Sequence, residues 1–499
     1  MKFKKNLYSY YYDNEKVEGI TAYMKTIRKL KISYSLITIL ILFFIILNMN
    51  VKANAAEVNS PNIDLIILFK ENSIDQKVKD FISESGGKIL NEFSELGAVE
   101  VECKAELIPQ IIKQTSVQSL SPNHNIKMLN EKRIKLSECE NISVSINDNY
   151  DKYQWDIKRV TNNGTSFDLE SGNNDVVVGI IDSGVDIDHP DLINNFLGGE
   201  NLVPKGFDDD DSETGDPRDV DDRVGHGTSI AGTIAGNGKI KGVAPNIGFK
   251  SYRVLDKIGE SNAVIISSAI IKATEDGVKV INLSLGGYDL KGKCYWTDPK
   301  TGIRYKMGND MAEYSLYKRA IKYAINNDVV VVASAGNDAL DCNDKKGLTK
   351  YLNEQNEMYG FKYEGLTYEV PGSVKGVITV SATDKYDKLS SYSNYGDDFI
   401  DISAPGGDFI LNDEDDIDLA LEGMCFTTAI EDDYAFVDGT SIAAPKVSAV
   451  AALLICKNED LTPKEVAKKI YKTADTLAED EFSEYYGAGM VNAYNALSN

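Results

Sequence analysis

The sequence predicts an α/β protein built on a doubly wound, mostly parallel sheet and preceded by a small α+β domain. Three observations predict it. Val176–Ile181, Val280–Leu285, Val329–Ala333 and Val377–Val380 are continuous apolar runs rich in valine and isoleucine, the pattern of strands covered on both faces. Helix-like stretches separate or follow them at Ala263–Ala273, Tyr314–Asn326 and Lys464–Lys472. Strand and helix alternating over about 340 residues put helices on both faces of one parallel sheet. Ahead of that region, from Ser60 to about Met128, shorter strands and helices follow one another, as in an α+β sandwich of about 70 residues.

Taken in order, residues 1–23 are polar and tyrosine-rich and match no targeting pattern. Met24 then opens a segment with Lys25, Arg28, Lys29 and Lys31, a run from Leu36 to Leu47 broken only by Thr38, and Ala53-Asn54-Ala55. A positive start, an apolar core and a small-x-small cleavage signal are the layout of a secretory signal peptide. The apolar core is short for a span of ~20 residues; an uncleaved membrane anchor is the alternative. Residues 1–55 are assigned to an N-terminal extension and signal, with Met24 the expected start. No other stretch reads as a membrane span, and the C-terminus carries no hydrophobic tail or wall-sorting motif. A protein secreted and released outside the membrane is expected.

Residues 56–128 form the small domain. Ile63–Phe69 reads as a strand and Val78–Ser85 as an amphipathic helix ending at Gly86-Gly87. Ala98–Glu102 alternates like a strand, Leu107–Gln114 is helical again, and Val117–Leu120 is the last strand. Residues 129–150 are polar and charged and read as a linker. Residues 151–499 are the α/β domain, whose ligand site is expected at the carboxyl ends of its strands.

Composition narrows the function. Lys+Arg number 53 and Asp+Glu 77, for a net charge of −24. That balance argues against nucleic acid, which needs a basic footprint. A hydrophobic fraction of 42% is ample for a packed core. Six cysteines in 499 residues are too few for a disulfide scaffold. The three histidines, His124, His189 and His226, leave little room for a His-rich metal site.

Three motifs carry chemistry. Ile180-Ile181-Asp182-Ser183-Gly184 puts Asp182 where a buried strand ends; alone, it reads as a turn. Gly225-His226-Gly227-Thr228 opens a helix of small residues, which crowds the imidazole into a cleft or buries it as a structural histidine. Gly439-Thr440-Ser441-Ile442-Ala443-Ala444-Pro445 places Ser441 before the apolar stretch Val447–Ile455, at a helix N-terminus that favours negative charge. Helix capping is the other reading of that serine. Together the order Asp182, His226, Ser441 is one of the known chain orders of a Ser-His-Asp triad. A fourth motif, Val330 to Asn337, ends a strand in an exposed amide.

These motifs resemble those of the subtilisin-like serine proteases, the subtilases, over roughly residues 150–495. The resemblance implies a subtilisin-like fold for the α/β domain. It implies that Asp182 orients the imidazole, that His226 is general base and then acid, and that Ser441 is the nucleophile. Asn337 and the Ser441 N–H would form the oxyanion hole. Ser284, Leu285 and Gly286 match the strand that pairs with substrate. Ser334, Ala335 and Gly336 match a wall of the primary specificity pocket. Gly487 to Ala493 matches the family's closing motif. The segment 56–128 resembles the family propeptide, an intramolecular inhibitor and folding aid. A subtilase homologue that binds peptides without cutting them is the alternative from another class.

Glu369, before Val370-Pro371-Gly372, aligns with the floor of that pocket. A carboxylate there favours a basic side chain just before the cut; the other reading is a rim glutamate facing water. Three insertions, Gly287–Glu313, Asp338–Glu369 and Asp408–Phe436, suit a selective protease. The string Asn201-Leu202-Val203-Pro204, Glu213-Thr214-Gly215 and Asp219-Val220-Asp221-Asp222 is similar to the lantibiotic leader peptidases of Gram-positive bacteria. The expected substrate is a lanthionine-containing precursor peptide cut after a basic residue, against the alternative of a broad degradative subtilase. Self-cleavage is expected after Lys132-Arg133, leaving Ile134 as the new N-terminus. No cofactor is required. Calcium is doubtful at the short basic loop Gly236–Gly242; Asp191 matches one family ligand without its partners, and Asp208–Asp211 reads first as a solvated acidic loop. Cys294, Cys342 and Cys425 fall one in each insertion, with any pairing left open; Cys456 is expected as a buried free thiol.

Overall fold

Strand β1 (Asn62–Phe69) opens the described part of the chain in this computed structural model, which covers residues 60–139, 149–308, 311–409, 420–477 and 483–499. The expected signal segment lies outside the described residues, as does part of the insertion that starts at Asp408. Helix α1 (Gln76–Glu84) follows, then β2 (Lys88–Phe93), β3 (Ala98–Lys104) and β4 (Val117–Pro122). The four strands form an antiparallel sheet in the order β2-β3-β1-β4. The period-two pattern of β1 decides its two faces. Leu65, Ile67 and Phe69 pack with Val78 and Ile82 of α1, whereas Ile66 and Leu68 pack on the large domain. The helix expected over Leu107–Gln114 shrinks to a turn at Ile108–Ile111, because the chain must reverse into β4 within a few residues. Strand β2 was not anticipated.

The segment expected as a linker is structured up to residue 139. Strand β5 (Asn125–Lys127) and strand β6 (Arg133–Lys135) both pair with the large domain. The main sheet then forms from β7 (Val177–Asp182), β8 (Phe196–Asn201), β9 (Gly248–Arg253), β11 (Val280–Leu283), β14 (Val330–Ser334), β16 (Ile378–Thr383) and β17 (Ile402–Pro405). Its order is β17-β16-β14-β11-β7-β9-β8, and every pairing in it is parallel. Helix α2 (His226–Ala235) precedes β9. Strand β10 (Glu260–Asn262) leads into α3 (Ala263–Glu275), and α4 (Ala312–Asn326) precedes β14. The expected strands and helices of this domain are present, shifted by one to three residues at their ends.

Helix α6 (Thr440–Lys457) runs through the core, with α7 (Pro463–Lys472) after it. By length and composition α6 is apolar enough to cross a membrane, but 89% of it is buried inside the protein. Its one long cation in the core, Lys446, is fully buried and pairs with Asp156 at 2.8 Å.

The first two insertions join into one structure. Strands β12 (Gly287–Thr297), β13 (Arg304–Gly308) and β15 (Phe361–Val370) form an antiparallel sheet in the order β13-β12-β15, with α5 (Lys345–Asn356) between β14 and β15 in sequence. The third insertion supplies the hairpin β18 (Cys425–Ala429) and β19 (Asp433–Val437), and β6 adds to its edge. No disulfide joins any of the cysteines among the described residues, and Cys456 is half-buried rather than buried.

Candidate active site

Asp182 is the last residue of β7, and His226 is the first of α2. The tight motif around the histidine has a geometric cause. A Cβ at Gly227 would stand 2.0 Å from the Gly184 carbonyl oxygen, so only glycine lets the two elements touch. Asp222 holds the entry to α2. Its carboxylate accepts from the N–H groups of Val224 (2.9 Å), Gly225 (2.7 Å) and Thr228 (2.9 Å) and from the Thr228 hydroxyl (2.6 Å). The result is a hydrogen bond of 2.6 Å between His226 Nδ1 and Asp182 Oδ1, with both side chains fully buried.

Ser441 is the second residue of α6. A polar chain supports it from below. Ser284 Oγ donates to the Ser441 carbonyl at 2.7 Å, Asn282 Nδ2 donates to Ser284 Oγ at 2.9 Å, and Ser448 Oγ donates to Asn282 Oδ1 at 2.8 Å. Asn337 follows β14, and its amide is oriented by Thr440. Asn337 Oδ1 accepts from the Thr440 N–H at 3.0 Å and from its hydroxyl at 2.6 Å. The Asn337 NH₂ therefore points outward as a donor.

That donor is occupied by the chain itself. Asn337 Nδ2 donates to the carbonyl oxygen of Asn130 at 2.7 Å. The next residue, Glu131, sits between the other two groups: Ser441 Oγ donates to Glu131 Oε2 at 3.0 Å, and the same oxygen lies 3.3 Å from His226 Nε2. Arg133 holds the other oxygen of Glu131 at 2.5 Å. Burial opposes charge on His226, but Asp182 and Glu131 outweigh it and push its pKa up to about 10. Burial likewise works against Glu131, yet His226 and Arg133 hold its carboxyl down to about 2. A carbonyl on an amide donor, beside a serine hydroxyl and a carboxylate-backed imidazole, is an arrangement suited to acyl transfer.

The segment around Asn130 lies extended in the cleft. Asn125–Lys127 pairs antiparallel with Glu260–Asn262, and the Met128 N–H donates to Gly259 O at 2.7 Å. Beyond the serine, the Lys132 N–H donates to Asp438 Oδ1 at 2.8 Å, and the Asp438 N–H returns to Lys132 O at 3.1 Å. Burial raises Asp438 to about 6. The bond presented to Ser441 is thus Asn130–Glu131. Lys132-Arg133, where the first cut is expected, lies beyond the serine in this intact chain, because β6 pairs with β19.

Glu369 is no rim residue facing water: it is 2% exposed and lines one cavity with Gly286, Gly336 and Asn337. Neither carboxylate oxygen makes a hydrogen bond of good geometry, although the N–H groups of Gly372 and Ser373 lie near. Burial pushes its pKa well above the usual carboxylate range, and Asp289 adds to this while Lys345 opposes it. A Cβ at Gly286 would stand 2.7 Å from Glu369 Oε1, so the glycine makes room for that carboxylate. Gly336 has φ +97, and a Cβ there would stand 2.4 Å from Asn394 Nδ2. Ala335 and Ser334 are buried behind it. The expected pairing partner Ser284–Gly286 is in place, Leu285 in the core, but the strand pairing seen here is with Glu260–Asn262.

Calcium does not fit the residues at the loop 236–242. Asp191 Oδ2 accepts from the Ile240 N–H at 2.9 Å, and the carboxylate packs against Gly238. Asp210, in the acidic run, pairs instead with Lys257 at 2.9 Å. Sequence reasoning missed Glu131, Asp222, Asn282 and Thr440. Asp222 and Thr440 flank the recognised motifs and were within reach; Glu131 depends on a register that no local pattern states.

Comparison with known proteins agrees with this geometry. The model of the Subtilase family matches residues 173–489. The nisin leader peptide-processing serine protease of Lactococcus lactis is 40% identical over 326 residues, 63% of this chain and 46% of that protein. The chain thus spans about half the length of that relative. The epidermin leader peptide-processing serine protease of Staphylococcus epidermidis is 31% identical over 440 residues, 84% of this chain and 90% of that protein. Its Staphylococcus aureus counterpart superposes with a TM-score of 0.72 at 30% identity, covering 88% of this chain and 98% of the other. The nisin leader peptidase structure gives a TM-score of 0.61 at 36% identity, over 70% and 94% of the two chains. A family match over more than half of the chain, with a relative alike along most of it, makes this protein a member of the subtilase family.

Proposed function

We propose that this chain is a secreted serine endopeptidase that removes the leader from a lantibiotic precursor peptide, cutting after a basic residue. The observation that carries the reading is a peptide carbonyl on Asn337 beside Ser441, with His226 and Asp182 behind it. In a substrate complex, Ser441 Oγ attacks the carbonyl carbon and His226 Nε2 accepts its proton. Asn337 Nδ2 donates to the oxygen as charge develops there. His226 then protonates the leaving amine, and water repeats the sequence on the acyl-enzyme. Asp182 holds the imidazole with its Nδ1–H inward and offsets its charge.

The preference for a basic side chain rests on Glu369. Two buried carboxylate oxygens without good partners favour an incoming cation, best of all a bidentate guanidinium. The similarity to two leader peptidases supports the substrate class. The signal-like segment before residue 56 supports export. Residues 60–130 act in this reading as an intramolecular inhibitor, and Asn130–Glu131 as the first bond cut. Neither residue suits the pocket or the general base, so that cut is slow by construction.

The test is a cleavage profile on a mixed peptide library, run with the wild type, Ser441→Ala and Glu369→Gln. Cuts confined to bonds after Arg or Lys, absent in S441A and relaxed in E369Q, support the proposal. Broad cutting after apolar residues points to a degradative enzyme. Failure of the wild type to cut, once its N-terminal segment is removed, points to a binding protein.

A further inference from the structure

We propose that the insertion sheet carries a second recognition site, for a cationic side chain about seven residues before the cut. It rests on the proposed function, in which a peptide threads this cleft and is cut at Ser441. His124 is the seventh residue back from the Asn130–Glu131 bond. The segment between is extended and strand-paired, so a substrate on the same track brings its own seventh residue to the same place.

Three insertion-borne groups grip His124. Glu313 Oε1 accepts from the His124 N–H at 3.0 Å, and both Glu313 oxygens lie 3.1–3.2 Å from Nδ1. Tyr363 meets Nε2 at 2.9 Å, and the Phe361 ring stands edge-on with centroids 4.9 Å apart. Glu313 is the second residue of α4, and both aromatics come from β15. A second carboxylate, Asp289 of β12, lines the same cavity of about 890 Å³. It is 7% exposed, and its Oδ2 has no hydrogen-bond partner. Burial and the nearby Glu313 raise its pKa well above the usual range.

These charges set what the cavity can hold. While the N-terminal segment is in place, His124 satisfies Glu313 but leaves Asp289 unpaired. Once that segment leaves, two buried carboxylates face one cavity with no cation between them. Buried acidic groups so placed favour a cation, and a lysine or arginine side chain reaches further than an imidazole. Phe361 and Tyr363 offer flat apolar walls to its stem. Glu369 lines the same cavity and feels the charge of Asp289; recognition at the cut is assigned to Glu369 and recognition upstream to Asp289 with Glu313.

The test uses processed enzyme and matched peptides that share an arginine before the bond and differ only at the seventh position back. With lysine there, kcat/KM is expected to exceed that with alanine roughly tenfold, chiefly through KM, and that with aspartate by more. In D289N/E313Q the lysine-to-alanine ratio is expected to fall below about twofold, and in Glu313→Lys the order of lysine and aspartate is expected to invert. Each preference is a ratio within one enzyme preparation, so partial misfolding cancels. Equal rates for the peptides in the wild type, or a ratio untouched by both variants, overturns the proposal. If the wild type cuts none of them, the proteolytic reading fails instead. Fluorescence anisotropy of the same labelled peptides on S441A, freed of its N-terminal segment, then decides the upstream site alone: tighter lysine binding keeps it, and equal binding removes it.

Discussion

Glu131 engages both Ser441 and His226 with one oxygen, and this makes it the most consequential single residue in the cleft. Ser441 spends its proton on that carboxylate, and His226 carries a positive charge beside it, flanked by Asp182, with Arg133 and Asp438 close to Glu131. A protonated imidazole cannot act as a base. The pH range of this lock is set by its two shifts. The raised His226 stabilises the lock fully below the ordinary imidazole pKa, and that contribution fades as pH rises toward about 10. The lowered Glu131 stabilises it above the ordinary carboxylate pKa, and that contribution fades as pH falls toward about 2. Self-cleavage of the full chain is therefore expected to speed up between pH 7 and pH 9, read by mass spectrometry of the released fragments. Glu131→Gln is expected to raise the rate at pH 7 by about tenfold or more and to move the rise to lower pH, since each pKa unit removed from His226 frees tenfold more base. A rate unchanged in E131Q would sink the lock. Asn337→Ala is expected to lower kcat on a peptide by ~10²–10³, the size established for such a donor in subtilases.

Among the elements, α2 and α6 position the site, and each depends on one buried carboxylate, Asp222 for α2 and Asp156 for α6. Asp222→Ala strips four hydrogen bonds from the start of α2. A loss of about 2–3 kcal/mol in unfolding free energy is expected by denaturant titration, with His226 misplaced and kcat reduced. Lys446→Ala leaves Asp156 as a buried, uncompensated charge in the core, with an expected loss of about 3–5 kcal/mol. Main-sheet strands β7, β11, β14 and β16 were legible because each is a short apolar run bounded by helix or loop; β8, β9 and β17, whose sequences carry glycine, polar residues or proline, were not. Asp182, His226, Asn337 and Ser441 were legible because close packing demands glycine or small neighbours around them, which makes their motifs distinctive. Strand β2 was not: its pattern Lys88-Ile89-Leu90-Asn91-Glu92-Phe93 is half polar, and the bulge between Ile89 and Asn91 breaks its alternation. The insertion sheet was hidden for another reason. Strands β12 and β15 are far apart in sequence, and neither reads as a strand until the other covers it.

Across the whole molecule, the N-terminal unit is docked by its second sheet face and by one arginine. Arg319 of α4 donates to the carbonyls of Phe69 and Leu96 and to Gln118 Oε1. Arg319→Ala is expected to shorten the lag between self-cleavage and appearance of peptidase activity, roughly tenfold if one such anchor is lost. The path of residues 123–135 through the cleft was the part least accessible from sequence. Its register is set by pairing with Glu260–Asn262 on one side and with β19 on the other, so the basic pair Lys132-Arg133 overshoots the serine. That second pairing also governs the fate of the severed chain. A bond broken at Asn130–Glu131 releases an amine that remains strapped to β19 by Arg133–Lys135, within reach of the ester it has just left. The two halves behave as a ring-opened pair rather than as separated products, and resealing competes with hydrolysis at the same centre. Under the proposed function, commitment to the active form is then set by departure of residues 60–130, and the cut itself is only a permission.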